Sequence, residues 1–369
     1  MSTISTAYNS GIDSCCAKVV VAIDQINSSA NVAQPTGVLN ALISPENKGT
    51  FELVLDPNKD RPTEDSFRKV YTKDVAPVCN QDTTADSACA TPTFTPDTLA
   101  NAYIHAEHEI NSSIKREIVL DLNGFKAFCV NPTEYIANRL LAFRAGVWAE
   151  INTKLISTVA GYVGAYADQT SPANSISAPK SVSFLTPGAI AGFSFDPTGY
   201  GKIKDEFAKL GYAYEAPIVV GGSQLSVLQS NAGYYTGANL NGVVGAAIPN
   251  LYVDYGVDTY FGDGINHAIT WKPGAVQVAT VNDISDAMIQ LSIPNQRERM
   301  RVASPFGDPF TWDFYFDIDA TGCQYKLKWQ LWFDALLPVP YDGTCAKKPV
   351  LNFTINCDGN TCPDSSFED

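Results

Sequence analysis

The clearest periodic pattern in the chain predicts a single long helix. Asn131, Pro132 and Glu134 have the residue types of an N-cap, a first helical position and an acidic third position. One apolar stripe then follows at helical spacing: Ile136, Leu140, Phe143, Val147, Ile151, Leu155 and Val159. Gly161 and Gly164 mark the expected end. A helix of about 30 residues would be roughly 45 Å long, which suits the spine of a flat subunit.

Strict alternation of apolar and polar side chains predicts a hairpin over residues 310–334. Its apolar positions are Phe310, Trp312, Phe314, Phe316 and Ile318, followed by Tyr325, Leu327, Trp329, Leu331 and Phe333. A four-residue loop from Asp319 to Gly322 would set the register. It would place Trp312 opposite Trp329, Phe314 opposite Leu327, and Asp313 opposite Lys328. We expect the aromatic face of this hairpin to cover the long helix.

Residues 47–96 have the pattern of a projecting two-stranded flap. Strand-like residues 51–55 and 67–75 flank a charged turn, Asp56–Ser66, and a polar stretch follows up to Pro96. A two-stranded ribbon has no second layer of its own, so it needs a partner to cover its apolar side chains. The alternative is an ordinary surface hairpin of a globular domain.

The remaining segments have weaker patterns. Residues 13–27 predict a short amphipathic helix, either a clamp on a neighbouring subunit or an ordinary core helix. Residues 97–114 are interpreted as a polar helix, 116–122 as a strand and 123–130 as a short helix. Between residues 180 and 300 the chain is rich in Gly and Ala with short elements, which predicts a mixed α/β lobe; 251–262 is interpreted as a strand.

Composition narrows the class of protein. The chain has 369 residues, of which 45% are hydrophobic and 17% charged, so it can bury a large core, and its low charge suggests extensive contact surface. A net charge of −14 argues against a surface that binds nucleic acid tightly, although an acidic wall could enclose DNA. The first residues lack the features of a signal peptide, and no apolar run is long enough to cross a membrane. The nine cysteines are therefore expected to be reduced in a cytosol.

Two groups of residues could bind a metal ion. His105, His108 and Glu109 would share one face of the predicted polar helix, but a solvated helix face is favoured because no third histidine is nearby; His267 is distant in sequence. A polar tail from Pro338 contains the second group: Cys345, Cys357 and Cys362. Free thiols are preferred there, then a loop disulfide, then a zinc knuckle. Cys79 and Cys89 could pair, although free thiols are again favoured.

No pattern indicates catalysis. The glycines near Gly221 and Gly262 match no phosphate-binding motif, and no serine-nucleophile motif occurs. The remaining acidic candidates lack a defined spacing: Asp196, Asp205, Glu206, Asp254 and Asp258. We therefore expect no catalytic, cofactor-binding or metal-binding residues, and no enzyme activity.

Two stretches carry a resemblance to a known family. LDLNGFKAFCVNPTEYIANRLLAFRAG and WDFYFDIDATGCQYKLKWQLWFDALL, with the order of the elements, resemble major capsid proteins of tailed phages, similar to those of phages of Bacteroidetes hosts. This family has the Hong Kong 97 fold, which encapsulins share. The resemblance implies an α+β fold with these parts: an N-terminal arm, 1–46; an extended two-stranded loop, 47–96; a peripheral domain with the spine helix and final hairpin, 97–179 and 301–340; an axial α/β domain, 180–300; and a Cys-containing C-terminal tail, 341–369.

The same resemblance implies a function. The chain would assemble with itself into hexamers and pentamers of an icosahedral shell around double-stranded DNA, without sequence-specific binding and without a membrane. Its partners would be portal, scaffolding or cement proteins of the same virion, and assembly would occur in the host cytoplasm. Covalent cross-linking is not implied, since Lys69 and Asn295 match no motif. The alternatives are an encapsulin-type compartment, a tail component, which the long helix disfavours, and a soluble hydrolase.

Overall fold

A computed structural model describes the following residues: 37–47, 52–55, 69–75, 103–121, 132–163, 180–187, 193–195, 198–209, 216–223, 225, 250–262, 266–284, 289, 297–319, 324–337 and 349–357. Three predicted elements lie outside these residues, namely the helix over 13–27, the short helix over 123–130 and the charged turn Asp56–Ser66.

The helices of the described residues include the predicted spine. In chain order they are α1 (Gly37–Ile43), a 3-10 turn (Pro45–Asn47), α2 (Pro132–Gly161), α3 (Thr198–Lys209) and α4 (Gly256–Phe261). The prediction of α2 is confirmed at both ends, from Pro132 to Gly161, over 30 residues. Six of the seven stripe residues are buried, and Phe143 is half-buried.

The strands form three sheets. They are β1 (Glu52–Leu55), β2 (Lys69–Val75), β3 (Tyr103–Glu109), β4 (Ser112–Asp121), β5 (Lys180–Pro187), β6 (Phe193–Phe195), β7 (Ile218–Gly221), β8 (Leu251–Val253), β9 (Asn266–Trp271), β10 (Gln277–Val281), β11 (Arg297–Ala303), β12 (Thr311–Asp319), β13 (Gln324–Leu336) and β14 (Val350–Cys357). We call β1–β3 the ribbon. The spine sheet contains β4 and β10–β13, and the lobe sheet has the order β6-β5-β14-β9-β7-β8.

The final hairpin, β12 and β13, is confirmed, but the predicted register is wrong by two residues. Asp313 pairs with Gln330, and Phe314 pairs with Trp329. Asp319 pairs with Gln324, so the four-residue loop begins one position later than predicted. Moving a loop of fixed length by one residue changes the pairing by two, so every side chain stays on its predicted face.

The aromatic face of the spine sheet packs on α2, as expected. β4 pairs with β13 along almost its whole length, from Asp121 opposite Gln324 to Ser112 opposite Phe333. Alternate residues of β12 and β13 then join the buried stripe of α2 in one core cluster: Trp312, Phe314, Phe316, Leu327, Trp329, Leu331 and Phe333. The core therefore lies between the spine sheet and the long helix.

The structure contradicts the predictions for three segments. Residues 103–109 form a strand, not part of a polar helix, because they alternate and pair with β2. Residues 251–262 form the short strand β8 and then α4, not a single strand. Gly262 adopts a left-handed conformation (φ 62°), which ends α4. Val350–Cys357, expected in a polar tail, is an inner strand of the lobe sheet between β5 and β9. Its nearly continuous apolar run, VLNFTI, is typical of such a strand.

The expected domain boundaries do not follow the sheets. β10 and most of β11 fall within the predicted axial segment 180–300 but pair with β13 and β12 of the spine sheet. Residues 37–47 fall in the predicted N-terminal arm and the start of the flap, yet α1 packs in the core that surrounds α2. Val38, Leu39, Ala41 and Leu42 are all buried there. This segment is therefore part of the subunit's own core.

Candidate assembly elements

The ribbon is the described counterpart of the predicted flap. β1 pairs with β2, placing Leu53 opposite Thr72, and β2 pairs with β3, placing Tyr71 opposite Glu107. The flap is thus three-stranded, not two-stranded. The third strand continues through Ile110 and Asn111 directly into β4 of the spine sheet.

One end of the ribbon is fixed to the subunit by a small apolar cluster, which we call the root. It consists of Val70, Ile110, Ala279, Trp332 and Leu336, all buried. Since Trp332 and Leu336 are even-numbered residues of β13, they lie on the face opposite the aromatic residues that contact α2. The ribbon and the long helix are therefore attached to opposite faces of one sheet.

Polar contacts fasten α2 along the spine sheet. Arg116 and Glu150 form an ion pair of 2.6 Å between Nη2 and Oε2. Lys154 Nζ donates to the Ser113 carbonyl at 2.7 Å, and Tyr162 OH donates to the Ala335 carbonyl at 2.7 Å. These three contacts lie along one side of the buried stripe, and on its other side Trp148 Nε1 donates to the Phe306 carbonyl at 2.8 Å. They fix the rotation of the helix about its own axis as well as its position.

The outward face of α2 carries few charges. From Leu141 to Ser157 its exposed residues are uncharged, and the charged, exposed residues Glu134 and Arg139 lie before this stretch. The exposed residues of the stretch are Leu141, Ala142, Ala145, Gly146, Ala149, Thr153 and Ser157. Leu141 is 45% exposed, and a Cβ added at Gly146 would meet no atom within 4 Å. Outward helix faces of globular proteins usually carry charged and polar residues. This face instead has the character of a surface suited to close contact.

The start of α1 is held by two side chains from distant parts of the chain. Asp254 Oδ2 accepts from Val38 N at 2.9 Å, and Asn152 Oδ1 accepts from Leu39 N at 3.2 Å. Asp254 Oδ1 also accepts from Gly256 N at the start of α4. Burial raises the pKa of Asp254. The candidate carboxylate Asp254 thus caps two helices.

Asn47 is a second buried polar contact point. Its Nδ2 donates to the carbonyls of Leu42 and Val276, at 2.9 and 2.8 Å. Its Oδ1 accepts from Trp271 Nε1 at 3.2 Å and from Gly274 N at 3.0 Å. All four hydrogen-bonding positions of the amide are used, so this side chain joins the turn after α1 to both ends of the β9–β10 connection.

The residues Ser223, Asp258 and His267 meet near the lobe sheet but are not arranged for catalysis. Ser223 N and Oγ both donate to Asp258 Oδ2, at 2.9 and 3.2 Å. The His267 ring is stacked on Phe261, with centroids 4.0 Å apart, and its Nδ1 lies 3.1 Å from Asn352 Nδ2. Asp258 therefore binds the serine directly, and these contacts fasten the turn after β7 to α4.

The structure separates the two histidines that were considered as metal-ligand candidates. His105 and His108 lie on β3, where residues three apart point to opposite faces of a strand. Within the described residues, no group of three or more His, Cys, Asp or Glu side chains is placed to bind one metal ion. Cys357 ends β14, whereas Cys79, Cys89, Cys345 and Cys362 lie outside the described residues. Their thiol, disulfide and zinc-knuckle interpretations stay predictions.

Most of the remaining residues considered in the sequence analysis lie in strands and helices or at their ends. Gly221 ends β7, where an added Cβ would lie 2.5 Å from Leu225 Cδ1, and Gly262 ends α4. Asp205 and Glu206 lie on α3, whose buried residues Ile203 and Phe207 pack in the lobe core. Two candidates, Asp196 and Asn295, lie outside the described residues, and Lys69 begins β2.

Of the described helices, none has the length and apolar character to span a bilayer.

Sequence patterns did not indicate that polar residues such as Asn47, Asp308 and Asp313 are buried. Asp308 accepts from Ser304 Oγ at 2.5 Å, Phe310 N at 3.0 Å and Trp312 Nε1 at 3.1 Å, so it organises the turn between β11 and β12. Burial raises its pKa. Its neighbours Gly307 and Pro309 signal a turn, but the sequence carries no signal that the turn is buried.

Comparison with known proteins finds structural similarity only. No protein-family model and no curated protein matches the chain. The capsid asymmetric unit of cyanophage A-1(L) is similar with a TM-score of 0.45 and 9% identity, over 88% of this chain and 94% of that chain. A chain of Mycobacterium phage Adephagia has a TM-score of 0.44 and 12% identity, over 89% and 91%.

The mature capsid of bacteriophage PhiM1 is similar over 80% of this chain and 84% of that chain, with a TM-score of 0.40 and 10% identity. With TM-scores below 0.5 and identities near 10%, no residue role is transferred from these chains to this one. None of these three names refers to a Bacteroidetes host, so that part of the resemblance stays a prediction.

Proposed function

We propose that this chain is the major capsid protein of a tailed double-stranded DNA phage. In this proposal it assembles into hexamers and pentamers of an icosahedral shell, with portal, scaffolding or cement proteins as partners in the virion. The observation that carries the proposal is the ribbon, which is rooted on one face of the spine sheet while a 30-residue helix covers the other. The sequence resemblance, which implies an extended loop before a spine helix, also supports the proposal.

Two surface features add support. The outward face of α2 is uncharged over several turns, and the whole chain has only 17% charged residues. Low charge is typical of surfaces that become buried between subunits. The net charge of −14 suits a wall that encloses DNA without gripping it. An enzyme has less support, because Ser223, Asp258 and His267 are used in structural contacts.

The ribbon provides the decisive test. Replacing Asp56–Ser66 by a short Gly-Ser turn should leave circular dichroism and the melting temperature of the subunit nearly unchanged, because the root cluster is retained. Closed-shell formation should be lost, because a ribbon that contacts a neighbour contributes apolar burial to assembly. Light scattering after size exclusion would show the unchanged protein far above 39.8 kDa and the shortened protein near it.

Ile110→Asp gives the contrasting variant. Ile110 is fully buried in the root, so an aspartate there should lower the melting temperature as well as block assembly. Normal shells from the Gly-Ser variant would show that the ribbon is dispensable and would contradict the proposed role. Unchanged protein that stays monomeric at all salt concentrations, and does not join phage particles, would contradict the capsid function itself.

An encapsulin-type compartment is the second candidate, because it shares the fold implied by the resemblance. The contents of purified particles distinguish the two functions. Double-stranded DNA inside supports the capsid proposal, whereas a packaged protein carrying a cargo peptide supports the compartment.

A further inference from the structure

The ribbon projects from the subunit at the root. β3 continues through Ile110 into β4, and both Ile110 and Val70 of β2 are buried in the root cluster. From Val70, β2 runs on to Val75, which is about 17 Å of strand. A small change of angle at the root is therefore a large displacement farther along the ribbon, so the geometry of the root determines the direction in which the ribbon projects.

The largest side chain of the root is Trp332, on the outward face of β13. It is 7% exposed, and it shares the cluster with the smaller residues Val70, Ile110, Ala279 and Leu336. The orientation of its ring thus shapes the surface on which the base of the ribbon packs. The torsion that rotates an aromatic ring about its bond to Cβ is broad and roughly two-fold, so packing leaves more than one orientation accessible. A polar contact of the ring nitrogen can select one of them.

Asp283, just after β10, makes that polar contact. Trp332 Nε1 donates to Asp283 Oδ2 at 2.7 Å, and Gln330 Nε2 donates to the same oxygen at 3.1 Å. A hydrogen bond to a carboxylate is about twice as strong as one between neutral groups. The ring of Trp332 is therefore fixed by a residue that is not itself part of the root.

The backbone around Asp283 is fixed in turn by two other strands. Asp283 N donates to Asp313 Oδ2 of β12 at 2.6 Å, and Asn282 Nδ2 donates to Asp313 Oδ1 at 3.1 Å. On β11, Arg301 Nε donates to the Ile284 carbonyl at 2.9 Å. Asp313 and Ile284 are both fully buried. The position of the Asp283 carboxylate is thus set by β11 and β12.

We propose that Asp283 is a positioning residue, which sets the direction of the ribbon by fixing the ring of Trp332. The contacts form one path. β11 and β12 fix Asp283, Asp283 fixes Trp332, and Trp332 supports Val70 and Ile110 at the base of the ribbon. The direction of the ribbon is a property of the single subunit. Its consequence for assembly rests on the proposed function, because the ribbon reaches a neighbouring subunit only when it projects in the right direction.

The distance between a spin label on the ribbon and one on α2 tests this role. The labels replace Asp74 of β2 and the exposed Ser157 of α2, and ketone-bearing amino acids carry them because the chain has nine cysteines. Dilution with unlabelled chain restricts the measurement to distances within one subunit, whether or not copies assemble. Asp74 lies four residues beyond Val70, about 13 Å along the strand, so a tilt of about 20° would move its label by roughly 5 Å.

Four variants separate the positioning role from a purely stabilising one. The unchanged protein should give one narrow distance peak, and Asp283→Ala should shift or broaden it by roughly 5 Å, because the ring of Trp332 loses its acceptor. Trp332→Phe keeps a ring but loses Nε1, so it should have the same effect, and combining both substitutions should add nothing further. Asp283→Asn should keep the narrow peak, because its amide oxygen can still accept from Trp332 Nε1.

Asp317→Ala is the matched control on the same face of the spine sheet. Asp317 is 30% exposed and pairs with Arg299 and Lys328, so its removal deletes a carboxylate outside the path to Trp332. An unmoved peak in Asp283→Ala, or an equal shift in Asp317→Ala, would refute the positioning role. If Asp283→Ala does not fold, an unmoved peak in Trp332→Phe refutes it equally. A peak that moves as expected in a protein that never assembles supports this role and counts against the capsid function.

Discussion

Single buried polar side chains join distant segments of this subunit through hydrogen bonds to the backbone. Asn47, Asp254 and Asp308 are buried, and each binds backbone groups that have no partner within their own helix or strand. Unpaired backbone groups are costly when buried, so these side chains stabilise turns and helix ends that could not otherwise enter the core. Substitution of one of these buried side chains should therefore lower the stability of the subunit strongly.

Gly37→Ala should strongly destabilise the subunit. Gly37 has φ 70°, and an added Cβ would collide with the Asp254 carboxylate that caps α1. The left-handed conformation and the collision together should reduce the free energy of unfolding by about 3 kcal/mol. Urea denaturation monitored by circular dichroism measures this loss.

Gly146→Ala is the control, with the opposite expected sign. Gly146 lies within α2, and an added Cβ there meets nothing within 4 Å. Alanine should therefore stabilise the helix by about 1 kcal/mol. Equal effects of the two alanines would contradict the proposed cap geometry at Gly37.

Asn47→Ala should destabilise the subunit by about 3 kcal/mol or more. The substitution leaves Trp271 Nε1, Gly274 N and two carbonyls without their partner inside the core. Thermal unfolding measures the change, and Glu46→Ala, at the exposed neighbouring residue, should be almost neutral. A stable Asn47→Ala protein would mean that water replaces the amide.

Two tryptophans of the aromatic face form a matched pair. Trp312 Nε1 donates to the buried Asp308 carboxylate, whereas Trp329 Nε1 is buried and has no hydrogen-bond partner among the residues that the structure describes. Replacing either by Phe removes similar volume, but only Trp312→Phe also deprives a carboxylate of its donor. We expect Trp312→Phe to cost about 1–2 kcal/mol more than Trp329→Phe in chemical denaturation. The reverse order would contradict the Asp308 contact.

At the scale of elements, the sequence predicted the helices and strands whose end residues and hydrophobic periodicity indicate the same structure. The sequence of α2 has a proline at its first position and an unbroken apolar stripe, and the helix begins and ends where expected. The faces of β12 and β13 were also predictable, because period-two alternation determines them whatever the loop position. Their register was not, since either of two placements of a four-residue loop keeps the aromatic residues together.

Elements that depend on a distant partner were harder to predict. β3 has the polar composition of a surface helix, and its pairing with β2 across a long interval decides its conformation. The segment Asn282–Ile284, which follows β10, is another example. Asp313 occupies an outward position of an alternating strand, where a carboxylate is expected to be solvated, and only the segment after β10 buries it.

At the scale of the whole molecule, the lobe sheet depends on its last strand. β14 pairs in parallel with β5 and antiparallel with β9, so its removal would split the sheet. A chain ending at residue 348 should be insoluble or expose apolar surface to a hydrophobic dye. A chain ending after Cys357 keeps the strand and serves as the control. Soluble, cooperative unfolding of the shorter chain would contradict the central role of β14.

The position of β14 also has a consequence for how the subunit is made. A ribosome releases β5, β7 and β9 long before it reaches Val350, and until then β5 and β9 have no strand between them. Pairing across such an interval is slow, and the waiting edges are open to other chains. The nascent lobe is therefore expected to need protection by a chaperone during synthesis. A prematurely terminated chain would lack the strand that joins β5 to β9, so unfinished translation products would be kept out of any assembly built from this lobe.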